Sequence, residues 1–600
     1  MGPDRGFILE STHRVEDGRT VFVVWGRLHN GASVLIRDDS FVPHFWVRAA
    51  QVARLPREIR TEARGERSMT GDEVVRVFAP TPADLRRLAD DCRARGLETF
   101  EADVRPAMAW RVDRGLRSAF EVSGAHRPGE RVDRVYSNPH VTPCDDRPSL
   151  RVVSFDIETD PRGRELLSIA LTDGERSRVL LRTAPGQSCP GGAIAVHDER
   201  ELLNRFEITL RELDPDVITG WNIIEFDLPV LKRAAERLGC SLQLGRAPGF
   251  PRFSAQGQHV AITGRVVLDG IRLLRGAFVR MDSYALDAVA REVLGEGKVI
   301  SGKNRADEIL RMFDEDRETF VRYNLRDAEL VLEILDRLQL IELCVERSLL
   351  TGMSLDRVTS STGAFDSLYL LRLRQLGIVA PTTGEGEEEH EPTTGAQVYE
   401  PVPGLHRNIW VYDFKSLYPS IIRTFQIDPL GLVREGDEGV DAIVAPNGAS
   451  FRREPGILPQ ILDALMPRRE EAKRAHNDVA SQAIKILMNS FYGVLGTPAC
   501  RFHSGLLSNA ITSFGRHLLD WTRDRFEALG HRVLYGDTDS LFVESRIGDG
   551  EEARQRGAEL GRVVNRDLDA YVEREWRVTS RLELEFERLY LRLHLTHMRH

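Results

Sequence analysis

The run Val533-Leu534-Tyr535-Gly536-Asp537-Thr538-Asp539-Ser540-Leu541-Phe542-Val543 places two apolar, β-prone segments on either side of a Gly-Asp-Thr-Asp turn. The simplest fold for such a run is a hairpin with two carboxylates at its tip. Gly-Asp turns are common for conformational reasons alone, so an isolated Asp-x-Asp says little about chemistry. A second stretch changes its meaning. Ile409-Trp410-Val411-Tyr412-Asp413-Phe414-Lys415-Ser416-Leu417-Tyr418-Pro419-Ser420 is another apolar strand ending in an acid. Three carboxylates on two strand ends can share a pair of metal ions. Mg²⁺ suits them, because it takes oxygen ligands in an octahedron and is held by a few carboxylates together with substrate phosphates.

The cysteines agree with a metal held by oxygen. Cys92, Cys144, Cys189, Cys240, Cys344 and Cys500 are scattered with no C-x-x-C pair, which argues against zinc, an iron–sulfur cluster or a disulfide framework. A chain of 600 residues holds several domains, each with its own core. No run approaches the roughly 18 uncharged apolar residues of a membrane helix, and the start, Met1-Gly2-Pro3-Asp4-Arg5, lacks a secretory apolar region. A cytoplasmic protein with no membrane partner is expected. The net charge of -10 does not suggest nucleic acid, but local patches constrain partners more than the total does. The cations are almost all arginine. Of the six lysines (Lys232, Lys298, Lys303, Lys415, Lys473, Lys485) the last three lie beside the Asp413 strand or on the helical stretches after Ser420, as expected where a compact ammonium matters.

Residues 1 to about 150 alternate short β-like runs with Arg-rich turns and offer nothing catalytic, and the Pro-, Arg- and Asp-rich stretch 127–148 reads as a connector. Arg151 to Thr159 is a strand, so Asp156 and Glu158 share a face. Asp214 to Asn222 ends a second strand, and Glu225-Phe226-Asp227 opens an amphipathic helix with Asp227 in its first turn. Further on, Tyr323 and Asp327 are four apart on a helix and project side by side. Each piece has an ordinary explanation: a strand-end acid, a dipole-favoured helix start, a solvated face. Their ordered combination is the acidic cluster expected of a two-metal 3′-5′ exonuclease, and it resembles the DEDDy nuclease family. Four carboxylates there hold two cations about 4 Å apart. Tyr323 would orient the attacking water, and Asn222, on the loop before Asp227, would contact the substrate backbone.

The run 381–392 is acidic and of low complexity and is expected to be a disordered loop. Two helices follow Ser420. The first carries Pro467, expected in a first helical turn, with Arg469 and Lys473 on one face. Asn477 and Asp478 can cap the second. Its apolar stripe is Ile484, Leu487, Met488 and Phe491, its polar stripe Lys485, Asn489 and Tyr492, and Gly493 is expected to end it. Charges on helices usually face solvent, but four polar or basic side chains converging beside a metal cluster suit a triphosphate.

Taken together, residues 413–420 (Asp-Phe-Lys-Ser-Leu-Tyr-Pro-Ser), 485–493 (Lys-Ile-Leu-Met-Asn-Ser-Phe-Tyr-Gly) and 535–540 (Tyr-Gly-Asp-Thr-Asp-Ser) resemble motifs A, B and C of the family B DNA polymerases, in order and spacing. The Asp156, Asp227 and Tyr323/Asp327 elements resemble that family's proofreading motifs. Residues 101–106, 294–298 and 421–425 point, within it, to the bacterial polymerase II branch. The resemblance implies an α/β and α+β multidomain chain. Its parts are a β-rich N-terminal domain (1–150), an RNase H-like DEDDy exonuclease domain (151–346), a linker and start of palm (347–400), palm with motif A (401–454), helical fingers with motif B (455–500), and palm with motif C (501–600).

It further implies Asp413, Asp539 and the carbonyl of Phe414 on metal, with Asp537 an accessory acid; Asp156, Glu158, Asp227 and Asp327 hold the exonuclease ions. Ser416 and Leu417 would offer backbone N–H groups to the triphosphate, Tyr418 would lie under the sugar, Arg469, Lys473, Lys485 and Asn489 would grip the triphosphate, and Tyr492 would sit near the nascent pair. Two Mg²⁺ ions per site, with Mn²⁺ as substitute, primer-template DNA and dNTPs are the implied cofactors and partners, in replication and repair. Two departures are visible. Gly395-Ala396 stands where the family usually carries Gly-Gly, and residue 600 comes before the family's Lys-Lys-Arg-Tyr-like primer-binding motif and thumb. The expectation is a chain lacking the thumb, either a fragment or one completed by a second polypeptide, with a sliding clamp as a further partner. The rival expectations are an exonuclease-only protein and a DNA-binding polymerase-like module.

Overall fold

The computed structural model describes all residues except 1, 188, 256–258, 297–304, 385–394, 396, 435–438 and 598–600. The acidic run from 385 onward, Lys298, Lys303 and Ala396 therefore lie outside the described residues. Among the described residues no helix is long and apolar enough to cross a membrane.

The first 143 residues build a seven-stranded and a four-stranded sheet. The long strands Asp4–Glu16 and Arg19–Leu28 pair antiparallel, and the nearly unbroken apolar run of the second is buried throughout after Arg19. His44, in the smaller sheet, is wedged among Phe41, Trp46 and Phe78 with ring centroids 4.8–5.4 Å away. Its Nδ1 faces the Val42 carbonyl at 3.0 Å.

A six-stranded mixed sheet follows, in the order Ala193–Val196, Ser177–Arg182, Leu166–Thr172, Val152–Thr159, Val217–Gly220, Val266–Asp269. Alternation along the central strand sends Phe155 and Ile157 to one face, where they pack with the helices Glu199–Leu213 and Asp227–Leu238. Asp156 and Glu158 point to the other, which the helix Arg317–Arg337 covers. This sheet is tied to the N-terminal one by a buried charge knot. Arg27 reaches Asp216 at 2.8 Å and Asp214 at 3.0 Å, while Arg246 reaches the same two at 2.8 and 2.9 Å. A second knot ties the N-terminal part to the C-terminal half, with Arg501 bridging Asp103 at 2.7 Å and Asp366 at 2.8 Å.

The last sheet is antiparallel, ordered Val533–Asp537, Ser540–Glu544, Gly404–Phe414, Leu584–Leu595. Behind it, Trp410 and Tyr412 donate to the Ala553 and Gly557 carbonyls at 2.7 and 2.8 Å, anchoring the helix Gly550–Trp576. The segment 397–402 lies along the outer edge of the hairpin: Thr538 N–H donates to the Gln397 carbonyl at 2.9 Å, and the N–H groups of Tyr399 and Val402 donate to Gly536 and Leu534, both at 2.8 Å.

The helices Ile457–Arg474 and Asp478–Leu495 form the expected pair beside this sheet, with Asn477 accepting from Ala480 N–H at 3.0 Å as the cap of the second. Three local expectations are corrected. The stretch 127–148 is more than a connector, since Arg134–Ser137 and His140–Pro143 are strands of the seven-stranded sheet, held there by buried Val135, Tyr136 and Val141. Pro467 is not in a first turn but inside its helix; it is exposed, like Asp463 four residues before it, so water reaches the carbonyl it leaves without a donor. Gly493 does not end the second helix, which runs to Leu495 with Gly496 as its cap, because buried Val494 and Leu495 carry the apolar stripe one step further.

Two candidate metal centres

In the six-stranded sheet Asp156 stands opposite Ala170 and Glu158 opposite Ser168. The covering helix delivers Asp327, and one oxygen each of Asp156, Glu158 and Asp327 lie within 4.8 Å of one another. Asp227 approaches from the other side as the first residue of its helix and accepts the Ile157 N–H at 3.3 Å. Burial, and then the charge of Asp156, hold its carboxyl well above the usual carboxylate range. Tyr323 is 1 % exposed, so the Tyr–Asp pair faces the interior and not solvent. Asn222 sits in the loop before Asp227 in left-handed backbone, φ 65°. That loop closes down on the Asp156 strand because position 220 is glycine. A Cβ there would lie 2.6 Å from the Phe155 carbonyl and 2.2 Å from Ile223.

In the four-stranded antiparallel sheet Asp413 pairs in register with Ser540, and Phe414 N–H donates to the Asp539 carbonyl at 2.9 Å. The strand end and the hairpin turn are thus clamped together. Thr538 takes left-handed backbone, φ 56°, at the tip. Asp537 is hydrogen-bonded on both oxygens, by Thr538 Oγ1 at 2.9 Å and Tyr535 OH at 3.4 Å, leaving Asp413 and Asp539 as the opposed pair. Burial and then Asp539, Glu587 and Glu585 push the Asp413 carboxyl up to about 7; burial and then Asp537 raise Asp539. Both clusters offer only oxygen donors, crowded until each other's charge is unfavourable, and a divalent cation relieves that repulsion.

Around the Asp413/Asp539 pair, Ser416 has φ 50° and opens the helix Leu417–Thr424. Arg469 reaches across from the helix Ile457–Arg474 to donate to Ser416 Oγ at 3.3 Å. Lys473 pairs with Glu470 at 3.1 Å. Lys485 and Asn489 line the exposed face of the second helix, and one turn on Tyr492 meets Tyr418 with ring centroids 4.6 Å apart. Tyr418 is backed by Gly515, where a Cβ would lie 3.5 Å from its ring. Motif A, motif B and motif C residues therefore meet on one surface.

Several residues of the two centres escape sequence reasoning. Glu585 and Glu587 border Asp413; their i, i+2 spacing on a strand was the available signal. Lys415 reaches Glu583 and Glu585 at 3.4 and 3.5 Å. In the Asp156 cluster Asn324 is missed, because the residue beside a motif tyrosine has no signature of its own, and so is Asp269, which adds to the repulsion on Asp227 and caps the helix Gly270–Gly276.

The sequence pattern of DNA polymerase family B matches residues 359–598, and that of the DNA polymerase family B exonuclease domain matches residues 97–289. DNA polymerase II of Escherichia coli (strain K12) is 39 % identical over 98 % of this chain and 76 % of its own length. A DNA polymerase of Thermococcus gorgonarius is 29 % identical over the same shares. Among solved structures, the family B DNA polymerase from Pyrobaculum calidifontis superposes with a TM-score of 0.75 at 26 % identity, covering 98 % of this chain and 78 % of that one. With two oxygen-donor carboxylate clusters on two sheets, and a 39 % identical relative of which it covers 76 %, this chain belongs to the family B DNA polymerases and carries their exonuclease domain.

Proposed function

We propose that the chain extends a primer on template DNA with dNTPs at the Asp413/Asp539 centre and excises mispaired 3′ ends at the Asp156/Glu158/Asp227/Asp327 centre, each with two Mg²⁺ ions. Mn²⁺ is the substitute. The observation that carries this is the pair of oxygen-only clusters, built on separate sheets, each containing carboxyls driven upward by burial and by one another. When bound, divalent cations neutralise the transferring phosphoryl group and make the attacking hydroxyl or water more acidic.

The chain's own residues supply position and charge. Asp413 and Asp539 hold the synthetic ions together with the Phe414 carbonyl, and Asp537 is an accessory acid. Backbone N–H groups of Ser416 and Leu417 receive the triphosphate, which Arg469, Lys473, Lys485 and Asn489 grip from the fingers. Lys473 exchanges Glu470 for phosphate. Tyr418, backed by Gly515 and set against Tyr492, fills the space beneath the deoxyribose and excludes a 2′-hydroxyl by contact. At the second centre Tyr323 with Asp327 makes the DEDDy arrangement; Tyr323 orients the water and Asn222 the strand. Residues 151–346 are assigned to excision, and 401–454, 455–500 and 501–600 to synthesis.

The test separates the sites. Asp156→Ala with Glu158→Ala should lower Mg²⁺-dependent 3′-end degradation by about 10³-fold or more while polymerisation persists. Asp539→Asn should stop nucleotide addition while degradation continues. Loss of both activities in either variant, each folded, would contradict two independent centres.

A further inference from the structure

Beside the exonuclease carboxylates lies a buried polar relay to which the proposed chemistry gives no part. Asn324 is 0 % exposed. Its Nδ2 donates to Asp156 Oδ2 at 2.8 Å and to the Asp156 carbonyl at 3.4 Å. Its Oδ1 accepts from Ser168 Oγ at 2.7 Å. Ser168 is also 0 % exposed and stands opposite Glu158 in the sheet. Both ends of the amide are thus engaged, and the serine hydroxyl at the oxygen end directs the NH₂ end at the carboxylate.

A free aspartate carboxyl turns easily about its terminal torsion, which is broad and nearly two-fold. A tether on one oxygen removes that freedom. The tethered carboxylate is the same one that brings an oxygen within 4.8 Å of oxygens of Glu158 and Asp327. Partners of this kind, one shell behind the ligand, orient ligands, and their loss typically weakens metal affinity by about 10- to 100-fold.

We propose that Asn324, itself oriented by Ser168, is a positioning residue for the exonuclease metal centre: it locks the Asp156 carboxylate in the orientation that receives a cation. The inference rests on Asp156, Glu158, Asp227 and Asp327 being the metal ligands. It departs from a packing role in what it predicts, because a packing residue affects stability whereas this one sets metal affinity.

The experiment uses the full chain carrying Asp413→Asn and Asp539→Asn, so that the palm centre does not contribute, and measures Mn²⁺ binding by the loss of the free-ion EPR signal. Thermal midpoints are recorded alongside. Asn324→Ala should weaken Mn²⁺ binding about 10- to 100-fold. Ser168→Ala should act in the same direction and less strongly, and the double variant should be no worse than Asn324→Ala, since the two lie on one relay. In the chain with its palm intact, the Mg²⁺ concentration for half-maximal 3′-end degradation should rise in parallel, with the rate largely recovered at saturating Mg²⁺. Unchanged Mn²⁺ affinity in folded Asn324→Ala overturns the proposal, as do additive effects. Should Asn324→Ala fail to fold, Ser168→Ala decides on the same criterion. Asp156→Ala separates the layers. If it leaves exonuclease-site Mn²⁺ binding intact, the ligand assignment is wrong; if it abolishes binding while the relay variants leave affinity unmoved, only the relay is.

Discussion

Asp227 and Asp413 meet the same electrostatic problem on different sheets. Burial raises each carboxyl first, and a facing aspartate raises it further. Such pairs weaken a fold unless something completes them, which is why they mark sites better than acidity does. His44 is the useful contrast, a buried titrating group with no functional neighbours. Burial pushes its imidazole down from 6.5 to about 4; Asp113 and the hydrogen bond to Val42 oppose the shift, and Arg76 and Arg374 add to it. The folded value lies below the unfolded one, so this contribution to stability is complete above pH 6.5 and is lost as pH falls toward 4. The loss amounts to about 3 kcal/mol at pH 4. Thermal midpoints measured between pH 6.5 and 4 should fall less steeply for His44→Gln than for the parent, and equal slopes would remove His44 from the account. At this scale the sequence was informative wherever geometry is local. Period two reveals Asp156 with Glu158, and a turn reveals Asp537 with Asp539. Asn324 was not legible, since a polar residue on a helix points to solvent or to the core depending on a partner strand more than 150 residues away.

The elements divide along the same line. Both acid-bearing strands and the Asp227 helix were readable because apolar alternation and a helix start are written into a few consecutive residues. Pro467 and Gly493 misled, because each obeys a local rule that its surroundings override: water reaches the carbonyl that Pro467 leaves without a donor, and buried Val494 and Leu495 carry the second helix past Gly493. The strap 397–402 could not be read at all: its strand-like pairing is made with residues 534–538, and nothing nearby in sequence calls for it. Its fit is close. A Cβ at Gly536 would lie 2.5 Å from the Tyr399 ring and 2.8 Å from Leu541, and Tyr399 is fixed in turn by Asp520 at 2.6 Å, with Arg523 5.0 Å over its ring. Gly536→Ala should therefore push the strap off the hairpin, at about 1–3 kcal/mol of overpacking, and slow nucleotide addition about 10-fold with exonuclease rate unchanged. Adding Tyr399→Ala should restore part of the rate in a primer-extension assay. No recovery would mean that the clash lies elsewhere.

Across the whole molecule, buried arginines join the parts. Arg27 and Arg246 share Asp214 and Asp216 between the N-terminal and exonuclease sheets, and Arg501 joins residue 103 of the N-terminal part to residue 366. Arg27→Met leaves Asp216, which is 0 % exposed, with Arg246 as its ion-pair partner and the Arg151 N–H at 3.0 Å, and should cost up to about 3 kcal/mol in urea unfolding. Mn²⁺ affinity at both centres should be unchanged, because the knot supports the frame and touches neither site; a selective loss at the exonuclease centre would show a closer coupling. The strap, finally, has a mechanical meaning. Residues 397, 399 and 402 pair with 538, 536 and 534 in antiparallel order, so tension applied to residue 397 along the strand axis, past the hairpin tip, loads all three backbone hydrogen bonds in shear at once. They would yield together and at high force, whereas a pull at right angles to the sheet would unzip them singly. The direction in which the preceding chain is tugged therefore decides whether strain reaches the Asp539 turn or is spent before it.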